Sequence, residues 1–192
     1  MKVIVSMMLI VIGFIAVFFL WPKSVDLPKI GETKDWTLTE VSGSNISYEK
    51  KTKLVSFIYT KCPDICPTTM VDLIELQQLM KEKGIVEDQY IVLTITLDPE
   101  YDTKERLLEY KDLFGISSTN WLFLRGTEEE TKRITQDFNF FYKKDQNGFL
   151  AHSTSLYIVD SNNQIRAHHD MAIGNKRVNI EEIAIQMQQL IQ

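Results

Sequence analysis

Residues 54–83 have the sequence LVSFIYTKCPDICPTTMVDLIELQQLMKEK, and this stretch decides the fold. It begins with an apolar run without clean alternation, which is typical of a strand buried on both faces. Residues 68–83 carry apolar side chains at helical spacing and end at Gly84, a residue type that commonly terminates helices. The sequence therefore predicts a buried strand followed by a helix, with the chain's two cysteines, Cys62 and Cys66, between them.

The position of the cysteines indicates thiol chemistry. Backbone N–H groups and the positive end of the helix dipole favour anions at a helix N-terminus, so we expect at least one thiol to have a lowered pKa. A thiolate is both the better nucleophile and the form that binds metals. The pair therefore suits thiol–disulfide exchange, binding of a soft metal ion, or both.

Two structural roles for the pair are also open. A disulfide between cysteines this close in sequence closes a very short loop and would stabilise the fold little. A structural zinc site usually needs about four ligands, and the chain has only two cysteines. The pair also differs from the common thioredoxin motif in having three intervening residues. Residues four positions apart share one face of a helical turn, so both sulfurs can face one ion.

Strands and helices alternate along the rest of the domain. The predicted elements after residue 84 are strands at 90–97, 121–124, 155–159 and 164–168, and helices that start at Thr103, Thr127 and Asn179. Extra strands are expected at 35–41 and 46–48, and a β-hairpin with an Asn-Gly turn is expected within 139–151. The pattern predicts an α/β, thioredoxin-like fold with a central mixed sheet, extra N-terminal strands and an inserted β-hairpin.

The N-terminal residues predict a membrane anchor. Residues 3–21 carry no charge and are almost entirely apolar, which matches the roughly 20 residues that a helix needs to cross a bilayer. The run lacks the small-residue cleavage site of a signal peptide and has no cysteine for lipid attachment. We predict an uncleaved transmembrane signal anchor at 1–21, a linker at 22–34 and a thioredoxin-like domain at 35–192. The domain is expected outside the cytoplasm, where disulfides can form and persist.

Composition narrows the choice of partners. The formal net charge is −5, and no basic cluster falls on any predicted element. These features argue against nucleic acid as a partner.

The three histidines are the candidates for a further metal ligand. His152 follows the predicted hairpin, which can fold over the dithiol, and precedes a buried strand. One imidazole and two thiolates form a good three-coordinate set for Cu(I), and nitrogen ligation also suits Cu(II). The residues alone slightly favour a different role for His152, as a hydrogen-bonded structural histidine at the entrance of a strand. His168 and His169 lie in a polar return strand and are expected at the surface.

Asp98 is the candidate carboxylate. It ends the second buried strand, on the edge of the sheet where function gathers in such folds. There it can orient the histidine or a thiol, or accept a proton. The residues alone favour a simpler role, in which Asp98 and Pro99 form the turn before the next helix.

Four motifs occur in one order along the chain: YTKCPDICP at 59–67, DPEYDT at 98–103, WLFLRG at 121–126 and HS at 152–153. Together they resemble the Sco/SenC family of copper-binding, thioredoxin-like proteins tied to cytochrome c oxidase assembly. The resemblance extends from about Lys29 to the C-terminus.

The resemblance implies that Cys62, Cys66 and His152 bind one copper ion, as Cu(I) or Cu(II), with Asp98 in a supporting role. It implies a part in building the dinuclear copper centre of cytochrome c oxidase subunit II, by copper delivery, by reduction of the subunit's cysteines, or both. The expected partners are subunit II, a copper donor or thiol reductant protein, and the membrane through the N-terminal helix.

Whether the protein is an enzyme stays open at this point. It is either a copper chaperone without turnover or a thiol–disulfide oxidoreductase, acting on the oxidase or generally on extracytoplasmic targets. A thiol peroxidase of the peroxiredoxin type is disfavoured, because Tyr59 occupies the position where that family has a threonine. Replacing His152 should separate the first two classes by abolishing tight copper binding while largely sparing dithiol redox activity.

Overall fold

The structure is a computed structural model that describes residues 7, 10–13, 26–34, 36–44, 47 and 50–191. The strands are β1 (Gly31–Glu32), β2 (Thr39–Glu40), β3 (Thr52–Ile58), β4 (Tyr90–Thr96), β5 (Trp121–Arg125), β6 (Tyr142–Lys144), β7 (Leu150–His152), β8 (Ser155–Val159) and β9 (Gln164–Asp170). The helices of the domain are α1 (Ile65–Glu82), α2 (Lys104–Leu113), α3 (Glu128–Asp137) and α4 (Ile180–Leu190).

The central sheet is mixed and has the strand order β1-β9-β8-β3-β4-β5-β2. Strands β3, β4 and β5 run parallel, whereas β8, β9 and the short edge strands β1 and β2 pair antiparallel to their neighbours. Every residue of β3 and β4 is buried, which explains why their apolar residues do not alternate cleanly with polar ones. Strands β6 and β7 form a separate hairpin. The predicted mixed-sheet α/β class with an inserted hairpin is confirmed.

The parallel strands fix where the site lies. The C-terminal ends of β3 and β4 meet at one edge of the sheet because their register pairs Ile58 with Thr96. The dithiol loop follows β3 and Asp98 follows β4, so the topology brings both segments to the same edge.

Two boundaries differ from the sequence-based expectation. Helix α1 begins at Ile65, three residues earlier than predicted, so Cys66 lies in its first turn. Pro67 does not prevent this start, because the first turn of a helix has no intrahelical partner for its N–H groups. Near the N-terminus, the sequence predicts a strand at 35–41, and the described residues 36–41 of that range contain the two-residue β2; β1 lies within the segment predicted as a linker.

The predicted transmembrane anchor lies largely outside the described residues, which include only residues 7 and 10–13 of it. Within the described part of the chain, no helix is both long and apolar enough to cross a bilayer. The strand predicted at 46–48 also lies outside the described residues, apart from residue 47. Both remain predictions from the sequence.

The prediction that both adjacent histidines lie at the surface is wrong for His169. Its side chain is buried, and its Nε2 lies 2.9 Å from Oε1 of Gln186 on α4. Adjacent strand residues point to opposite faces of a sheet, so His169 faces the helix while His168 stays exposed.

Candidate copper and dithiol site

The two cysteines sit where β3 passes into α1. The Cys62 N–H donates to the Tyr59 carbonyl oxygen at 3.0 Å, which closes a tight turn after the strand. The Cys66 N–H then donates to Sγ of Cys62 at 3.4 Å. The N-cap residue Asp64 makes no side-chain capping bond, so the sulfur of Cys62 accepts a first-turn N–H in its place.

The hairpin delivers His152 to the same place. His152 is the last residue of β7 and pairs with Tyr142 of β6. Its Nδ1 lies 2.6 Å from the Ser153 carbonyl oxygen, and because a carbonyl oxygen can only accept, Nδ1 carries a proton. Nε2 is therefore the ring nitrogen left for a metal ion.

Two aromatic rings hold the imidazole in place. The His152 ring stacks on Phe140, with centroids 6.0 Å apart and an interplanar angle of 16°. It meets Tyr59 at 84°, with centroids 5.8 Å apart. Phe140 itself packs on the core residue Phe57, with centroids 4.5 Å apart. The orientation of the histidine is thus set by the hydrophobic core.

The structure brings the three predicted metal ligands together. Cys62 and Cys66 are free, buried thiols and His152 is half-buried. One ligand atom from each residue lies within 4.8 Å of the other two. Two thiolate sulfurs and one imidazole nitrogen form a soft donor set, which fits copper better than a hard cation such as magnesium or calcium.

The two thiols have opposite protonation tendencies. The S–H of Cys66 donates a hydrogen bond to the sulfur of Cys62. This bond lowers the pKa of Cys62 to about 4, together with hydrogen bonds from His152 and nearby backbone N–H groups, although burial acts in the opposite direction. The same bond and burial raise the pKa of Cys66 well above its ordinary value. The reduced pair at neutral pH therefore consists of one thiolate and one thiol.

The thiolate of Cys62 also affects the pKa of His152. Burial acts to lower its pKa, but the hydrogen bond to Cys62, the bond to the Ser153 carbonyl and the negative charge on Cys62 outweigh burial, so the pKa is raised. A metal ion that uses all three ligands must displace the proton on Cys66, so its binding releases a proton.

Asp98 does not contact the candidate ligands directly. Its side chain is buried, and its Oδ1 accepts from Lys144 Nζ at 2.8 Å. Its backbone N–H donates to the Thr96 hydroxyl at 3.0 Å. Among the described residues, no hydrogen bond joins Asp98 to Cys62, Cys66 or His152. The link of this carboxylate to the hairpin that carries His152 is its bond to Lys144.

Sequence reasoning did not single out Asp102, the buried carboxylate that anchors the dithiol loop. Asp102 accepts from the Thr60 N–H at 3.1 Å and from the hydroxyl groups of Thr60 and Thr96. Burial raises its pKa, although the threonine hydrogen bonds act in the opposite direction. Its place in the DPEYDT segment was the available signal, but nothing local distinguishes it from a helix-start residue.

Tyr59 also joins the dithiol to the hairpin. Burial and the negative charge of Cys62 raise the pKa of Tyr59 to about 12, so the hydroxyl stays protonated and can donate to Cys62. The backbone of Leu150 in β7 hydrogen-bonds to the same hydroxyl. The sequence indicated Tyr59 only as a position in a motif.

Fold and site together define a thioredoxin-like protein with a dithiol–histidine cluster. The SCO1/SenC family model matches residues 28–191, and the chain belongs to this family. It is 32% identical over 131 residues to an SCO2-like protein of Rickettsia prowazekii. That match covers 65% of this chain, which spans 61% of the relative's length.

Solved structures confirm the thioredoxin-like Sco fold. A SCO1/SenC family lipoprotein from Bacillus anthracis superposes with a TM-score of 0.77 at 23% identity, covering 88% of this chain and 99% of that one. BsSco, described as a Sco-family cytochrome c oxidase assembly protein with a disulfide switch, gives 0.73 at 22%, covering 87% and 96%. Yeast Sco1 with copper bound gives 0.64 at 25%, covering 84% and 90%.

Proposed function

We propose that the protein binds one copper ion through Cys62, Cys66 and His152 and delivers it during assembly of cytochrome c oxidase. The observation that carries the proposal is the convergence of two buried sulfurs and one imidazole nitrogen within 4.8 Å. This donor set is the type that soft copper ions prefer. Membership of the SCO1/SenC family supports the same assignment.

The relatives supply the context. Yeast Sco1 has been solved with copper bound, and BsSco belongs to a family of cytochrome c oxidase assembly proteins. We infer by analogy that the recipient is the dinuclear copper site of subunit II. The apolar residues 3–21 favour a membrane anchor that holds the domain on the extracytoplasmic side, where that site is assembled.

A second function is favoured by the unequal thiols. The Cys62 thiolate would attack a disulfide of the recipient, forming a mixed disulfide and expelling one recipient thiolate. Cys66 then loses its proton and attacks the sulfur of Cys62, expelling the second recipient thiolate. The recipient gains two electrons, and Cys62 and Cys66 become a disulfide. Such a reaction would prepare the cysteines of subunit II for copper, or reduce a more general set of extracytoplasmic targets.

The test is a copper titration of the reduced full chain in mild detergent. Cu(I) is titrated against a competing chelator, and Cu(II) is followed by its thiolate charge-transfer absorption. The His152→Ala variant removes the proposed nitrogen ligand. The matched control is His168→Ala, which removes an exposed histidine from β9.

Copper carriage predicts one tightly bound ion per chain in the wild type and in His168→Ala, and a large loss of affinity in His152→Ala. Weak binding that His152→Ala leaves unchanged would overturn it. The reductase function is measured separately, as reduction of a disulfide peptide by the copper-free protein. That activity should survive His152→Ala and be lost in Cys66→Ala.

A further inference from the structure

One ion pair fastens the hairpin to the sheet. Lys144 in β6 lies with its Nζ 2.8 Å from Oδ1 of Asp98, just after β4, and 3.9 Å from Oε2 of Glu100. In the part of the chain that the structure describes, Lys144 is the only residue of the hairpin, residues 142–152, that forms an ion pair. The same hairpin carries His152 at the end of β7.

The pair is unequal in burial. The Asp98 side chain is only 2% exposed, whereas that of Lys144 is 38% exposed. Among the described residues, the second carboxylate oxygen of Asp98 is buried without a hydrogen-bond partner. If Lys144 withdraws, Asp98 is left as a buried carboxylate without its counter-charge, which is a costly state. Asp98 therefore draws the hairpin towards the sheet.

Part of the hairpin is open to solvent. A groove of about 510 Å³ is lined by Tyr59 and by hairpin residues, and Phe141 and Phe149 are exposed. Its turn faces the dithiol loop, since a carbon placed on Gly148 would lie 4.0 Å from Nζ of Lys61. The other ties lie near Leu150, which hydrogen-bonds to Tyr59, and at the base of the hairpin. The ion pair thus holds the outer half of the hairpin.

We propose that Lys144 is a positioning residue whose bond to Asp98 latches the hairpin over the dithiol and keeps His152 within reach of the two sulfurs. Breaking the latch loosens the outer half of the hairpin, so His152 leaves the two sulfurs more readily. The part concerning metal release rests on the proposed copper binding. The part concerning the hairpin does not, and it can be tested without metal.

The first experiment uses the metal-free, reduced full chain. Lys144→Met removes the charge and keeps the length of the side chain. The matched control is Lys143→Met, because Lys143 is exposed, has the same charge and forms no ion pair with the described residues. We expect the hairpin amides to exchange with deuterium about fivefold faster in Lys144→Met than in the wild type, the size expected for a partly exposed ion pair. Equal exchange in the two variants would overturn the proposal.

A double-mutant cycle assigns the effect to the pair. Asp98→Asn removes the buried charge, so Lys144→Met added to it should increase exchange little further. Additive effects of the two substitutions would show that Lys144 acts through something other than Asp98 and would overturn the latch. This cycle also keeps the test valid if either single variant is unstable, because the double variant contains no unpaired buried carboxylate.

The second experiment measures copper release to an excess of chelator by stopped flow. Release from Lys144→Met should be about fivefold faster than from the wild type and from Lys143→Met. Release at the wild-type rate, together with faster amide exchange, would overturn the positioning role and leave a structural tie. A wild type that binds no copper would refute the proposed function instead, while the exchange experiment would still decide the latch.

Discussion

The hydrogen bond from Cys66 to Cys62 allows a quantitative prediction. This bond is the largest of the interactions that lower the pKa of Cys62 to about 4, and Cys66→Ala removes it. A hydrogen bond to a charged group contributes about 1.5–3 kcal/mol, and about 1.4 kcal/mol changes a pKa by one. The pKa of Cys62 in Cys66→Ala should therefore rise to between about 5 and 6, because His152 and the backbone N–H groups remain.

The assay is the rate of alkylation of Cys62 in the reduced, metal-free protein between about pH 3 and pH 9, with peptide mass spectrometry to identify the modified residue. The thiolate is the reactive form, so the rate rises with pH and levels off above the pKa. The wild-type rate should be level above about pH 5, and the rate in Cys66→Ala should become level only near pH 7.

Cys66→Ser is the matched control, because its hydroxyl group can still donate to the sulfur of Cys62. Its profile should fall between those of the wild type and Cys66→Ala. The reasoning is refuted if wild-type Cys62 titrates near the ordinary cysteine value of about 8.5, or if Cys66→Ala leaves the profile unchanged.

Three further predictions concern stability. The pKa of Cys62 is lower in the folded state, so the contribution of its thiolate to stability is complete above the unfolded value of about 8.5 and is lost as pH falls through about 4. In denaturant titrations, the difference in unfolding free energy between the wild type and Cys62→Ala should therefore grow as pH rises from about 4 to about 8.5. Asp102→Ala leaves the half-buried donors of Thr60 and the buried hydroxyl of Thr96 without their acceptor, so urea unfolding should show a loss of about 2–4 kcal/mol. Phe140→Ala should cost about 3–5 kcal/mol in the same assay and weaken copper binding in a chelator competition, since His152 loses its stacking partner.

The central fold could be predicted because its strongest signals are local. Strands β3 and β4 are buried along their whole length, and in the sequence each is rich in apolar residues without clean alternation. The capping box at the start of α3 can likewise be predicted from local sequence, since Thr127 and Glu130 are three positions apart, and it is present in the structure. The edge strands β1 and β2 were harder to predict, because a two-residue strand shows no periodicity in the sequence. They are defined by their pairing with β9 and β5.

The candidate site could be predicted as a set of residues but not as a geometry. The spacing of Cys62 and Cys66 indicated a dithiol, whereas the distance of His152 from that dithiol depends on how the hairpin folds back. Asp98 and Asp102 look alike in sequence, since both stand near the start of a helix. Only the packing shows that Asp102 anchors the dithiol loop while Asp98 faces Lys144.

The candidate copper ligands lie on two different parts of the fold, and this arrangement suggests how copper could be handed over. Both sulfurs sit on the rigid junction of β3 and α1, held by backbone hydrogen bonds and by the Asp102 anchor. The nitrogen sits on a hairpin that one ion pair, a few hydrogen bonds and the packing of His152 on Phe140 and Tyr59 fasten to the domain. Movement of the hairpin leaves the dithiol loop in place and would open a two-sulfur site to an incoming ligand. In the proposed function, a recipient therefore needs to displace only His152 to begin the transfer, and the strength of the Lys144–Asp98 pair sets how readily that first exchange occurs.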